Sequence, residues 1–316
     1  MDEAPFSSAS YHNVPAFPDA PYGILQRSIL NREAFTAAHA VITSWPGYRR
    51  TPLRSLPGLS SEVGVGEIRY KDEAERFGLD SFKALGGAYA VSQVLQHVVQ
   101  AQAKNTAVTA EALQQGAYRH LVAPLTVTCA SAGNHGKSVA WGARQFGCRC
   151  VIFVAGNVGP ERITGITQYG AEVVRVDGTY DDAVRRAASE AARHGWHVVS
   201  DTSYEGYTAV PRDVMQGYTM MVCLACGEVS LLAWEILKDG ADDFLTIPDA
   251  AEEKALSLLQ HGVGNDPPLR LGSSGAAGLA GLLVAAHEAG LRDALGLDRN
   301  SRVLLIGSEG ASHGFP

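Results

Sequence analysis

The chain has 316 residues, 46% of them hydrophobic and 19% charged, and 26 Lys+Arg against 33 Asp+Glu leave a formal net charge of −7. That is the composition of a globular protein large enough for two domains with real cores, and it excludes wholesale disorder. The acidic balance, without a basic block, argues against nucleic acid or an anionic membrane as the main partner and leaves small metabolites open.

Residues 1–45 are rich in Pro, Ser and Ala with little periodicity and read as an extended N-terminal arm. The opening Met1-Asp-Glu-Ala-Pro5 has no positively charged region before an apolar stretch, so a cytoplasmic location is expected. Lys71 follows an expected strand and has Asp72 and Glu73 beside it, which points to a structural ion pair. In Leu79-Asp-Ser-Phe-Lys-Ala-Leu-Gly-Gly87, Asp80 or Ser81 can cap a helix running to about Val99, with Lys83 in its first turn. A cation at a helix start opposes the dipole, which disfavours the charged form of an amine, as a Schiff-base lysine requires. The plain alternative is a solvated surface lysine.

From Leu125 onward the pattern is regular. Residues 125–130, 150–154, 173–176 and 196–200 are short runs rich in Val, Ile and Thr, suited to buried strands. Between them, 137–146, 161–169 and 181–194 read as helices ending at Gly147, Gly170 and Gly195, where left-handed caps are wanted. Thr179 with Asp182 resembles a capping box. Strand and helix alternating through short loops predict an α/β fold with parallel sheets, and direct the functional search to the loops after the strands.

The first of those loops is Ser131-Ala-Gly-Asn-His-Gly136. Gly133 and Gly136 permit close backbone approach, Ser131 and Asn134 offer directed polar contacts, and the helix start behind them is an anion cradle. Taken alone, the loop is equally a plain strand-to-helix turn. His194 and His197 straddle a helix end and a strand and read as structural, while Trp141 and Phe146 read as core. Five cysteines, an odd number, read as reduced thiols. Cys223-x-x-Cys226 is half of a zinc or redox motif with nothing nearby to complete it, so no metal site is expected. The apolar run 276–286 is far short of the roughly 20 residues that cross a bilayer, so no membrane span is expected.

Lys83 within Ser-Phe-Lys, the 131–136 loop and Gly307-Ser-Glu-Gly310 together resemble the fold type II pyridoxal-phosphate enzymes, the tryptophan synthase beta-like group. Longer phrases are similar to the diaminopropionate ammonia-lyases within that group. They are Tyr48-Arg-Arg-Thr-Pro-Leu53, Lys71-Asp-Glu-Ala-Glu-Arg-Phe-Gly-Leu79, Phe82-Lys-Ala-Leu-Gly-Gly87, Asp177-Gly-Thr-Tyr-Asp-Asp182, Ser200-Asp-Thr-Ser-Tyr-Glu-Gly-Tyr207 and Cys226-Gly-Glu228. The resemblance implies two open parallel-sheet domains with helices on both faces, a large cofactor-binding one from 46–90 and 201–316 and a small one from 91–200. It implies pyridoxal 5'-phosphate held as a Schiff base on Lys83, with Ser131, Gly133 and Asn134 lining the cofactor, Asn134 near the ring hydroxyl and Ser308 near the pyridine nitrogen. It further implies α,β-elimination of the amino acid 2,3-diaminopropionate to pyruvate and ammonia, with Lys83 taking the α-proton, in a homodimer.

Two departures stand out. Ala132 replaces an acidic residue that the ammonia-lyases use for the D-isomer, and Ser-Ala-Gly-Asn-His instead resembles threonine and serine dehydratases. Between Val222 and Cys223 the family's apolar strand, glycine-rich phosphate loop and helix are missing, a gap larger than one βαβ unit of roughly 30 residues. The large domain is therefore expected to be incomplete, and a non-catalytic remnant stands beside the two enzyme readings. Gly272-Ser-Ser-Gly-Ala-Ala-Gly-Leu-Ala-Gly281 is the other glycine-rich candidate, suited to helix packing as well as to phosphate.

Overall fold

The computed structural model describes residues 9–13, 22–103, 107–200 and 231–311. In chain order the elements are β1 (Ala9–His12), α1 (Ile24–Ile29), α2 (Arg32–Ser44), β2 (Leu53–Ser55), α3 (Pro57–Val63), β3 (Glu67–Asp72) and α4 (Lys83–Gln102). Then come α5 (Ala110–Gln114), α6 (Arg119–Val122), β4 (Thr126–Ala130), α7 (Asn134–Phe146), β5 (Arg149–Ala155), α8 (Pro160–Thr167), β6 (Glu172–Val176), α9 (Tyr180–His194) and β7 (His197–Val198). The chain closes with α10 (Leu231–Gly240), β8 (Asp243–Thr246), α11 (Asp249–His261), α12 (Ser273–His287), α13 (Ala289–Ala294) and β9 (Arg302–Gly307).

Two compact units divide the described residues, one drawn from 1–31, 50–75 and 202–315, the other from 32–49 and 76–201. The division falls at 75/76, where the sequence reading placed it at 90/91. α4 lies along α7 for much of its length and so goes with the second unit.

The second unit is built on an all-parallel sheet in the order β6-β5-β4-β7. Side chains alternate across it. Val127, Cys129, Ile152 and Val154 join the core that holds Val91 and Leu95 of α4 and Val139 and Ala143 of α7. Val151 and Phe153 point the other way, onto Ala183 and Ala187 of α9. Helices therefore cover both faces, which is why β4 and β5 read as nearly continuous apolar runs. Gly147, Gly170 and Gly195 all take positive φ, and Thr179 and Asp182 form the reciprocal capping box. α7 begins three residues before the expected start because Gly133, in extended conformation, serves as its N-cap.

The first unit carries a mixed sheet in the order β2-β3-β9, with β2 antiparallel and β9 parallel to β3, together with a small antiparallel pair of β1 and β8. Its sheet is thus not all parallel, because the short connection through α3 returns the chain antiparallel, whereas a parallel return needs a longer crossover. α12 packs between α11 and β9, burying Ala276, Leu279, Ala280 and Leu283. Residues 24–44, read as an extended arm, instead form α1 and α2. Four alanines in α2 and Glu33 in its first turn favour helix over extended chain. No described helix is long and apolar enough to cross a membrane.

Candidate active site

In the second unit, β4 leads into the 131–133 turn and then α7, so the loop stands at the C-terminal edge of a parallel sheet, where open α/β sheets bind ligands. Contacts between α4 and α7 climb both helices together. Ser138 meets Lys83 and Ala88, while Gly142 meets Ala88 and Val91. The two helices therefore run parallel, and their first residues, Lys83 and Asn134, share one end of the pair. Glycine makes this approach possible: a Cβ on Gly142 would stand 2.8 Å from the Ala88 Cα, and one on Gly87 2.8 Å from the Ser138 Cβ.

A strained turn delivers the chain to Lys83. Phe77 and Asp80 take φ of 53° and 60°, uncommon for residues with side chains. Lys137 of α7 clamps this turn, its Nζ donating to the Asp80 carboxylate at 3.0 Å and to the Leu79 carbonyl at 3.3 Å. The Phe77 ring packs with Trp45, Tyr48 and Trp141 at centroid distances of 5.0 to 6.0 Å. Arg76 is buried, lies over the Tyr48 ring and donates to the Arg49 carbonyl. Phe82 occupies the N-cap of α4 without a side-chain cap, so neither expected residue caps it: Ser81 Oγ accepts the Lys83 amide at 3.2 Å from one position further out, and Asp80 is committed to Lys137. Lys83 is the first, half-buried residue of α4. Lys71 lies within β3, donates to the Thr51 carbonyl at 2.7 Å and stands 3.6 Å from Glu73, the ion pair expected of it.

In the loop, Ser131 Oγ accepts from the Gly133 amide at 3.3 Å. Gly136 admits no side chain, because a Cβ there would overlap the Ser131 carbonyl. Asn134 opens α7 half-buried, and the His135 Nε2 donates to the Val199 carbonyl at 2.8 Å, tying the loop to the chain leaving β7. Ala132 packs against the core beneath the loop. Lys83, Ser131, Gly133 and Asn134 thus all belong to the second unit, where the start of α4 and the loop into α7 lie at one end of the helix pair.

Ser308 belongs to the first unit, just after β9, with its Oγ donating to the Ser274 carbonyl at 3.4 Å. Packing on either side explains the glycines around it. The Tyr70 ring lies where a Gly307 side chain would be, and its hydroxyl donates to the Gly275 carbonyl at 2.9 Å. Burial, helped by Asp72, raises the pKa of that phenol. A Cβ on Gly310 would stand 3.0 Å from the Ala74 Cβ and carbonyl oxygen. Glu309 is buried, and its carboxylate accepts the Ser274 amide at 3.2 Å.

The family model described as pyridoxal-phosphate dependent enzyme matches residues 44–223. The chain belongs to that family. Within the pyridoxal-phosphate dependent enzymes it is similar to diaminopropionate ammonia-lyase of Escherichia coli K12, 32% identical over 346 residues that cover 84% of this chain and 85% of the relative. The enzyme of the same name from Salmonella typhimurium is 29% identical, with 90% of each chain covered. Crystal structures of the E. coli ammonia-lyase superpose with TM-scores of 0.80 for the apo form and 0.83 for a holo form, at 29% and 28% identity. The apo comparison covers 97% of this chain and 94% of that one, the holo comparison 96% and 94%. A tomato threonine deaminase, 17% identical with a TM-score of 0.64 and 96% and 95% covered, shares the fold. The fold is that of the fold type II enzymes, as the resemblance implied.

The K12 alignment of 346 residues is longer than the whole 316-residue chain, so the relative carries residues that this chain lacks. The expected gap at 222/223 lies outside the described residues, as do residues 201–207 and Cys223 and Cys226. Cys129, Cys148 and Cys150 are free thiols, and burial pushes Cys148 up to about 12. Among the described residues no cluster of three His, Cys, Asp or Glu side chains could hold a metal ion.

The family's cofactor is pyridoxal 5'-phosphate, and its two ends fare differently against these residues. The aldehyde and ring end finds a primary amine and an amide side chain at one end of the α4/α7 pair. For the phosphate, the 272–281 run does not fit. Glu309 already caps the start of α12, and a Cβ on Gly275 would stand 2.6 Å from the Glu309 carbonyl oxygen. Those glycines admit the 309–310 backbone, and a phosphate there would meet a buried carboxylate. Sequence reading missed Ser138, the Lys137–Asp80 clamp and the Glu309 cap. Of these, Ser138 left one trace, the glycine pair Gly86-Gly87 early in a helix.

Proposed function

We propose that this protein is a pyridoxal-phosphate-dependent carbon–nitrogen lyase that eliminates the β-amino group of 2,3-diaminopropionate, yielding pyruvate and ammonia. The observation that carries the reading is the parallel α4/α7 pair, which sets Lys83 and Asn134 at the same end of one rigid core. The cofactor, when bound, supplies an electron sink for the substrate's α-carbon. Lys83 is the residue that would hold the cofactor through Nζ, and its amine would serve as the base for the substrate's α-proton. Asn134 donates toward the ring hydroxyl. The amides opening α7 over Gly133 and Gly136 receive the substrate carboxylate, as helix starts receive anions. Ser308 is the residue this reading assigns to the pyridine nitrogen, where a hydroxyl in place of a carboxylate would leave that nitrogen less protonated. The large domain in this reading includes β2, β3, β9 and α12, and a homodimer is its expected assembly.

Ala132 favours a second reading, a threonine or serine dehydratase, since no side chain at 132 can act as a base. Borohydride reduction of the protein with pyridoxal phosphate, followed by peptide mapping, tests the site. Label on Lys83, abolished in Lys83→Ala together with a roughly thousandfold loss of turnover, is expected. Label spread over surface lysines would leave only ancestry. Turnover of D- and L-diaminopropionate, threonine and serine then separates the two enzyme readings, the L-isomer of diaminopropionate being the expected substrate.

A further inference from the structure

Ser138 sits wholly buried on α7, one helical turn after Asn134 and on the same face. Its Oγ donates to the Lys83 carbonyl at 2.7 Å and accepts from the Ala88 amide at 3.1 Å. Gly87 exists for this contact, since its Cβ would collide with the Ser138 side chain. Lys83 is the first residue of α4, where helices fray, and its amine hangs on a flexible four-carbon stem. Fixing its peptide fixes the root of that stem. We propose that Ser138 is a positioning residue for Lys83: its hydroxyl staples the Lys83 peptide to the helix that presents Asn134, so that amine and amide share one frame. This rests on Lys83 being the cofactor lysine.

The experiment follows covalent capture with time. Wild type, Ser138→Ala, Ser138→Cys and Ser92→Ala are mixed with pyridoxal phosphate, quenched with borohydride at intervals, and the Lys83 peptide is quantified against surface-lysine peptides. Thermal unfolding is recorded in parallel. Ser92 is the control, a buried hydroxyl on α4, the helix of Lys83, with no hydrogen-bond partner. Ser138→Ala should capture Lys83 about tenfold more slowly, because small displacements of a reacting group are costly to rate. Ser138→Cys, with a weaker donor of similar size, should fall between, and Ser92→Ala should match wild type. Capture by Ser138→Ala at the wild-type rate overturns the proposal while leaving Lys83 as the cofactor lysine. Should Ser138→Ala not fold, Ser138→Cys decides: slower capture at wild-type thermal stability supports the staple, and wild-type capture overturns it. Absence of Lys83 label in the wild type overturns the cofactor site itself, and the staple with it.

Discussion

At the scale of single residues, two lysines near the recognisable phrases are tied down by what they touch. Lys71 is committed to Thr51 and Glu73, and Lys137 to Asp80 and Leu79. The Lys71 pairing was legible because its acids are its neighbours in sequence. The Lys137 clamp was not, because its partner lies 57 positions away. Asp182 shows local chemistry that the sequence does expose. Its carboxylate accepts from the Thr179 amide at 2.8 Å and hydroxyl at 2.9 Å and pairs with Arg185 at 2.6 Å, which holds its pKa down at about 2. An unfolded aspartate titrates near about 3.9. The folded value is the lower one, so the capping box contributes fully above about pH 4, and its contribution is lost as pH falls through about 2. Amide exchange in the first turn of α9 is expected to accelerate over that window. An Asp182→Asn variant should lack the acid-dependent step.

At the scale of elements, helix ends were readable and helix partners were not. Gly147 and Gly195 end α7 and α9 because only a residue without Cβ takes the left-handed cap at little cost. α3 likewise ends at a left-handed Gly64, but its charged partners are distant. Its first amides are capped by the Asp266 carboxylate at 2.8 and 2.7 Å, and Arg292 donates to the carbonyls of Val63 and Gly64 at its other end. Charges of the right sign at each end suit the dipole, yet both come from over 200 positions away. The glycines of 307–310 invited a cofactor reading, and packing accounts for them. Gly307→Ala forces a methyl into the Tyr70 ring, so it should cost about 2 kcal/mol, the typical size of overpacking a core. A chemical-denaturation midpoint checks this. A variant as stable as wild type would show that the Tyr70 ring can move aside.

At the scale of the whole molecule, the chain keeps the architecture of its ammonia-lyase relatives while lacking part of their length. With the α12 start filled by Glu309, no phosphate cradle stands at the 272–281 run. Pyridoxal without its phosphate should therefore label Lys83 at nearly the rate of pyridoxal phosphate, as timed borohydride trapping would show. A strong preference for the phosphorylated form would mean that a cradle exists elsewhere in the chain. The sequence by itself determined the α/β class, the glycine-capped helices and the loop that begins α7, because alternation, capping and turn chemistry act within a few residues. The tertiary structure alone decided that Lys83 and Asn134 share one end of a parallel helix pair, that the Ser138 hydroxyl meets the Lys83 carbonyl, and that Glu309 occupies the start of α12. Those pairings join residues 55 and 35 positions apart. Close helix approach and burial create them, and no local pattern encodes which distant side chain will meet which backbone group.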